Sequence, residues 1–177
     1  MPGTIDLIEA EIPRLRRYAR SLVRDPQLAD DLVQDCLERA LRAIDSWQPG
    51  TNLRAWLFTI LRNCHISSFR NRRREVAVID GGAEPPGLAV SGGQEESLAL
   101  TEVGRAYRQL SEEHREILML VAIEGLAYEE AATTLGVAVG TVRSRLSRAR
   151  AALRVQLEGS NVVTDASQAR PLELKHD

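Results

Sequence analysis

Apolar side chains recur at three- and four-residue intervals along most of this chain, the spacing that puts them on one face of an α-helix. Ile8, Ile12, Leu15, Ala19 and Leu22 form the first such stripe, with Pro13 inside it. Proline is tolerated in a first helical turn, so the pattern predicts a main helix from about Pro13 with a short turn before it. Asp25 and Pro26 read as a cap and a first-turn proline, opening a second helix that runs to about Ile44. Two adjoining stripes mark it: Leu28, Leu32, Cys36 and Ala40 on one, Ala29, Val33, Leu37, Leu41 and Ile44 on the other. That width suits the centre of a bundle. The stretch SWQPGTNL (46–53) reads as a loop, with a Pro-Gly turn and Thr51 or Asn52 able to cap the next helix. A third helix over 54–74 turns Trp56, Leu57, Ile60, Leu61 and Cys64 inward.

Periodicity then stops. Residues 76–96 gather glycine and proline (GGAEPPGLAVSGG) and read as a linker. Beyond it, 97–110 is predicted as one helix, and Ser111 caps the next. Glu112 and Glu113 occupy the first turn of that helix, and Ile117, Leu118, Leu120 and Val121 are its core. Glu124-Gly125 ends it. The pattern therefore predicts an all-α chain of two small helical domains, 1–75 and 97–158, with a polar, frayed tail over 159–177.

The most informative stretch is 126–150, LAYEEAATTLGVAVGTVRSRLSRAR. Ala131, Ala132 and Leu135 line one face of a short helix, and Gly136 follows where a helix commonly ends in a left-handed residue. Thr141 is placed to cap a second helix whose inward face is Val142, Leu146, Ala149 and Leu153. Its other face carries Arg143, Ser144, Ser147, Arg148 and Arg150, with Arg145 on the flank. From Thr141 to Arg154 there are five arginines and no acid. A solvated helix gains from mixed charge signs, which this one lacks. Two helices about a glycine turn, the second basic, describe a helix-turn-helix that enters the DNA major groove.

Composition adjusts this picture in three places. The net charge of −2 looks wrong for a nucleic-acid binder, but it averages over segregated blocks, and local patches set the field that DNA meets. Along 26–44 the acids come early (Asp30, Asp31, Asp35, Glu38) and the bases late (Arg39, Arg42), an order that the helix dipole alone favours. Four arginines in five positions, Arg70, Arg72, Arg73 and Arg74, exceed what a helix C-terminus needs and point to phosphate contact. Cys36 and Cys64 are far apart and lack a histidine pair, so neither a disulfide framework nor a zinc site is expected. No stretch approaches a membrane span and no secretory signal opens the chain, which places it in the cytoplasm. No nucleophile–base or paired-carboxylate cluster appears, so no enzyme, cofactor or metal is expected.

With these residues in view, the sequence resembles the extracytoplasmic-function group of bacterial RNA polymerase sigma factors up to about residue 158. Three motifs carry the resemblance. DDLVQD (30–35) looks like the helix that grips the clamp of core RNA polymerase. SWQPGTNLRAWLFTILRN (46–63) looks like the loop and helix that open promoter DNA at the −10 element. YEEAATTLGVAVGTVRSRLSRAR (128–150) looks like the region-4 helix-turn-helix that reads the −35 element. The resemblance implies that Asp31, Gln34 and Asp35 contact core polymerase. It further implies that Trp47, Asn52, Trp56 and Asn63 serve the −10 element, with Arg70, Arg72, Arg73 and Arg74 on upstream phosphates. Thr141, Arg143, Ser144, Arg145, Ser147, Arg148 and Arg150 would serve the −35 element. An anti-sigma factor is an implied partner, and homo-oligomers are not expected. The family commonly has serine or threonine where Ala127 stands and proline where Ala138 stands; each absence removes a local device worth ~1 kcal/mol.

Other readings stay open on the sequence. A sigma-like mimic would bind an anti-sigma factor without touching DNA. A plain helix-turn-helix regulator would leave 1–75 without a role, and an arginine-rich surface helix would leave the glycine turn without one.

Overall fold

The computed structural model describes residues 3–23, 25–80 and 98–168, with side chains over 3–23, 25–70 and 102–158. Among these residues every regular element is helical. Helices α1 (Thr4–Leu22), α2 (Pro26–Arg42) and α3 (Leu53–Asp80) pack together as one half. Helices α4 (Leu98–Gln109), α5 (Glu112–Ile117), α6 (Tyr128–Leu135) and α7 (Val139–Gln168) form the other.

Most sequence-read elements are present, with boundaries moved for identifiable reasons. Helix α1 starts at Thr4 and carries Pro13 in its interior, so Pro13 does not open it. Ile8 is buried, and anchoring that early turn in the core offsets the backbone hydrogen bond that proline removes. Asp25 caps α2, its Oδ1 accepting from Gln27 N at 2.8 Å and Leu28 N at 3.1 Å. A single 3₁₀ turn (Ile44–Ser46) separates α2 from the 47–52 loop. Helix α3 continues to Asp80, into the stretch read as linker, because no glycine or proline interrupts the chain before Gly81. Helix α7 continues past Glu158 to Gln168, into the stretch read as a frayed tail; the first proline after it is Pro171. Residues 81–97 and 169–177 lie outside the described residues.

One local expectation at the helix-turn-helix is corrected. Helix α7 begins at Val139, two residues before Thr141, so Thr141 sits in the first turn with its amide donating to Ala138 O at 2.9 Å. It does not cap the helix. Gly136 does close α6, at φ +66°. At the N-terminus of α6, Ala127 offers no side-chain oxygen. Only the reciprocal half of a capping box exists there, Glu130 Oε2 accepting from Ala127 N at 2.9 Å.

After α5 the chain widens into a π-helical turn (Leu118–Ile123), with Glu124 N bonding Met119 O at 2.9 Å. Such turns shift helical register locally. Here the shift leaves Glu124 buried, facing the N-terminal half.

The two halves do not stand apart. One contiguous apolar cluster runs from Leu15, Tyr18, Leu57, Phe58 and Leu61 through Leu110, Ile117 and Leu120 to Leu135, Val142 and Leu146. Tyr18 and Phe58 meet at 4.9 Å between ring centroids. Helix α3 packs on α6, and α1 on α5.

Replacing Ala127 with serine supplies the missing cap acceptor and is expected to stabilise the protein by about 0.5–1 kcal/mol. Urea unfolding followed by circular dichroism measures this as a higher midpoint at unchanged slope.

Candidate nucleic-acid interface

Helix α7 presents the basic face read from its sequence. Val142, Leu146 and Ala149 are buried against α5 and α6. That packing turns Arg143, Ser144, Ser147, Arg148 and Arg150 to the outside, and all five are exposed. Arg143 lies 5.8 Å above the Tyr128 ring, so an aromatic platform holds its guanidinium next to the groove. Arg148 Nε donates to Ser144 O at 3.3 Å. A 420 Å³ surface groove runs between Tyr128 of α6 and Arg143, Ser147, Arg150 and Arg154 of α7. Arg145 differs from its neighbours: it is half-buried and its Nη2 lies 3.5 Å from Glu113 Oε1 on α5. Thr141 is half-buried.

The residues read as serving a −10 element occupy the 47–52 loop and α3. Trp47 and Trp56 are half-buried, and Trp56 packs on the core. The Trp47 indole N–H is buried and has no protein partner among the described residues. Asn52 is exposed and caps α3, its Oδ1 accepting from Arg54 N at 3.1 Å. Its amide nitrogen donates across to Glu130 of α6 at 2.8 Å. Asn63 and Arg70 are exposed on α3. Arg72, Arg73 and Arg74 continue that helix, but their side chains lie outside the described residues. Asp31, Gln34 and Asp35 are exposed together on one face of α2.

Between the two halves lies a network that pattern reading did not find. Glu124, whose carboxylate is wholly buried, accepts from Arg17 Nε at 2.6 Å and from Arg14 Nη1 at 3.2 Å. Its hydrogen bond holds the Arg17 guanidinium above its ordinary pKa. Glu116 Oε1 accepts from Tyr18 Oη at 2.9 Å and from Arg62 Nε at 2.9 Å. Arg54 bonds Glu11 through Nε at 2.8 Å and the Glu124 carbonyl through Nη1 at 3.2 Å. Thr59 and Thr134 hydroxyls meet at 3.2 Å, and His65 Nε2 lies 3.3 Å from Glu112 Oε1. The only sequence signal for this network was weak: Glu116 and Glu124 fall inside or directly after an apolar run, where an acid needs a partner.

Burial governs the remaining titratable groups. It pushes the Cys36 and Cys64 thiols up, which keeps both protonated and inert at neutral pH. It raises Tyr18 well above its ordinary range, with the adjacent Glu116 adding to the effect, and pushes Tyr107 up to about 12. Among the described residues no group of three or more His, Cys, Asp or Glu is placed to hold a metal ion. No described helix is long and apolar enough to cross a membrane.

Two family patterns match the chain: Sigma2 domain of PhyR over residues 8–62, and Sigma-70, region 4 over residues 100–153. The ECF RNA polymerase sigma factor EcfG of Rhodopseudomonas palustris is 49% identical over 152 residues, spanning 86% of this chain and 83% of that protein. The ECF sigma factor SigL of Mycobacterium tuberculosis is 36% identical over 151 residues, 81% of this chain and 82% of that protein. Among solved structures, the sigma factor RpoE of Bartonella quintana, crystallised with the anti-sigma factor NepR, superposes with a TM-score of 0.73 at 42% identity. That match covers 86% of this chain and 97% of that one. CnrH, solved with the cytosolic domain of CnrY, gives 0.61 at 31% identity over 86% of each chain.

The Tyr107 shift fixes an alkaline limit. The unfolded chain releases this proton near pH 10.0 and the folded chain at about 12, so the stabilising contribution is complete below 10 and lost as pH rises to 12. The urea midpoint should therefore fall across that window, and Tyr107→Phe should fall less steeply, by a difference on the order of 2 kcal/mol.

Proposed function

Because the chain belongs to the extracytoplasmic-function RNA polymerase sigma factors, which are not enzymes, we propose how its residues divide the work of transcription initiation. The exposed acidic face of α2, Asp31, Gln34 and Asp35, binds a basic clamp surface of core polymerase. Helix α7 enters the major groove of the −35 duplex. Arg143 and Arg148, with Ser144 and Ser147, read base edges there, since a guanidinium fork matches guanine O6 and N7. Arg150 and Arg154 hold phosphates, which position without specifying. Thr141 and Arg145 lie at the margin of this surface. The Glu113 partner makes Arg145 a phosphate contact at most, reached by exchanging one anion for another.

At the −10 element, the loop bearing Trp47 and Asn52 takes up an unstacked base. Trp56 follows in the first turn of α3 and Asn63 two turns further along it, and Arg70, Arg72, Arg73 and Arg74 follow the upstream backbone. Flipping a base out costs a few kcal/mol, which contacts in the loop must return. The working site of the protein is the cytoplasm, with polymerase. The observation that carries the reading is the run of outward-facing arginines on a helix packed through Val142, Leu146 and Ala149.

This reading requires the halves to separate. The −35 and −10 positions lie about 25 base pairs apart, roughly 85 Å at about 3.4 Å per pair. A body in which Thr59 touches Thr134 cannot serve both. An anti-sigma factor is a fitting partner for the closed form, given the similar sigma factor solved with one.

Run-off transcription with purified bacterial core polymerase on randomised −35 and −10 elements tests the function. Transcripts that depend on this protein and start below one selected motif pair are expected; no transcripts and no co-elution with core would overturn it. In the same assay Arg148→Ala should cost about 1–3 kcal/mol and relax discrimination at one −35 position. Uniform weakening over all −35 variants would make Arg148 a phosphate contact. Asp31→Asn with Asp35→Asn should lower core affinity in a fluorescence titration while leaving binding to the −35 duplex unchanged.

A further inference from the structure

The arginines of α7 differ in what anchors them, and the difference bears on which of them is equipped to read a base. Arg145 has spent one edge of its guanidinium on Glu113, Nη2 to Oε1 at 3.5 Å. Arg148 gives its Nε–H to Ser144 O at 3.3 Å. Arg143 is anchored through its face instead. Its Cζ lies 5.8 Å from the centroid of the Tyr128 ring, and among the described residues it makes no ion pair or hydrogen bond. An aromatic ring holds a guanidinium by its π face and uses none of the five in-plane donors. Arg143 is therefore placed, yet its whole fork is free. The platform itself is fixed from below. Tyr128 opens α6, is half-buried and packs on the apolar core. Just before it, buried Leu126 donates its amide to Leu120 O at 3.0 Å, and Glu130 Oε2 holds Ala127 N at 2.9 Å. The ring belongs to the frame of the helix-turn-helix, while the arginine it carries is exposed.

An exposed arginine beside duplex DNA has two kinds of acceptor in reach, base edges and phosphates, and a phosphate adds affinity without sequence information. We propose that Tyr128 is a positioning residue that sets specificity at the −35 element. Its ring holds the Arg143 guanidinium at the N-terminal end of α7, where recognition-helix residues meet base edges, and keeps it from swinging to a phosphate. Discrimination is gained and non-specific affinity is given up. Tyr128 touches no base in this scheme and acts through Arg143. The inference rests on the reading of α7 as the −35 helix and adds to it a residue, on the neighbouring helix, that the reading does not use.

Fluorescence anisotropy with the full chain tests this on the −35 duplex selected by run-off transcription, on duplexes changed at single base pairs, and on a scrambled duplex. Tyr128→Phe keeps the ring and should match the unsubstituted chain. Tyr128→Leu should lower discrimination at the one position read by Arg143 by about two- to fivefold, the worth of an exposed cation–π contact. It should also steepen the salt slope on the scrambled duplex by about 0.9, because the released guanidinium takes one phosphate. A loss of packing alone weakens every duplex equally and does not steepen that slope. In an Arg143→Ala background, Tyr128→Leu should leave discrimination unchanged. Uniform weakening at intact discrimination overturns the proposal, as does Tyr128→Phe behaving as Tyr128→Leu does, or a Tyr128→Leu effect that persists without Arg143. Should Tyr128→Leu lower the urea midpoint, the intact protein decides by NMR. The Arg143 Nε–H resonance, assigned by its loss in Arg143→Lys, should carry a ring-current shift that Tyr128→Phe preserves. A resonance at the position of an unstacked arginine overturns the proposal. Selective binding that ignores Tyr128→Leu ends this inference alone and leaves the −35 reading standing, whereas an unsubstituted chain that binds all duplexes alike ends both.

Discussion

Two buried glutamates, and the groups that neutralise them, hold the halves of this protein in one body. Glu124 and Glu116 sit on or beside the α5 and π-turn segment, in the apolar junction between the halves, where an isolated carboxylate would cost several kcal/mol. Arg14, Arg17, Arg62 and the Tyr18 hydroxyl resolve that cost, and each comes from the other half. The same groups that complete the closed body are readily hydrated when it opens. An interface sealed only by leucine and phenylalanine would resist separation much more strongly. The junction combines both kinds of contact, with Leu57, Phe58, Leu118 and Leu120 in the same apolar cluster. It is cohesive, yet built in part from groups that water can satisfy.

That chemistry links the fold to its use. The outward basic face of α7 is formed by packing within the C-terminal half, through Val142 and Leu146, and does not need the junction. The −10 side does. Asn52 donates to Glu130, Thr59 meets Thr134, and Arg62 is held by Glu116, so α3 is partly covered while the halves are together. Closure therefore covers part of α3 and the 47–52 loop, while α7 keeps its outward face. Control by a bound protein would need only to favour or disfavour the junction.

The helix-turn-helix shows how local departures are absorbed. Ala127 cannot cap α6, and Glu130 takes over half of that task from inside the first turn. Thr141 does not cap α7, since the helix starts earlier, at Val139. Gly136 holds the turn in both accounts, because a left-handed residue at φ +66° strains any residue with a Cβ and does not strain glycine. The motif keeps its shape through the turn and the buried Val142–Leu146–Ala149 stripe. The caps contribute less.

What repeats at short range is legible in the amino-acid order. Three- and four-residue apolar spacing sets the helices, Asp25, Ser111 and Gly136 set particular ends, and unmixed arginine on 143–154 sets the basic side of α7. The motifs of 30–35, 46–63 and 128–150 are enough to reach the family. Boundaries at Pro13, Asp80 and Gln168 depart from the pattern, because a helix anchored by Ile8, or free of glycine and proline, outruns its propensity signal. The pairing of Glu116 with Tyr18 and Arg62, and of Glu124 with Arg14 and Arg17, emerges only when the chain is folded. Those partners are 54 to 110 residues apart, and no periodicity reports a pairing made across a junction. A charged side chain looks the same in sequence whether water or a distant arginine satisfies it, and burial alone separates the two.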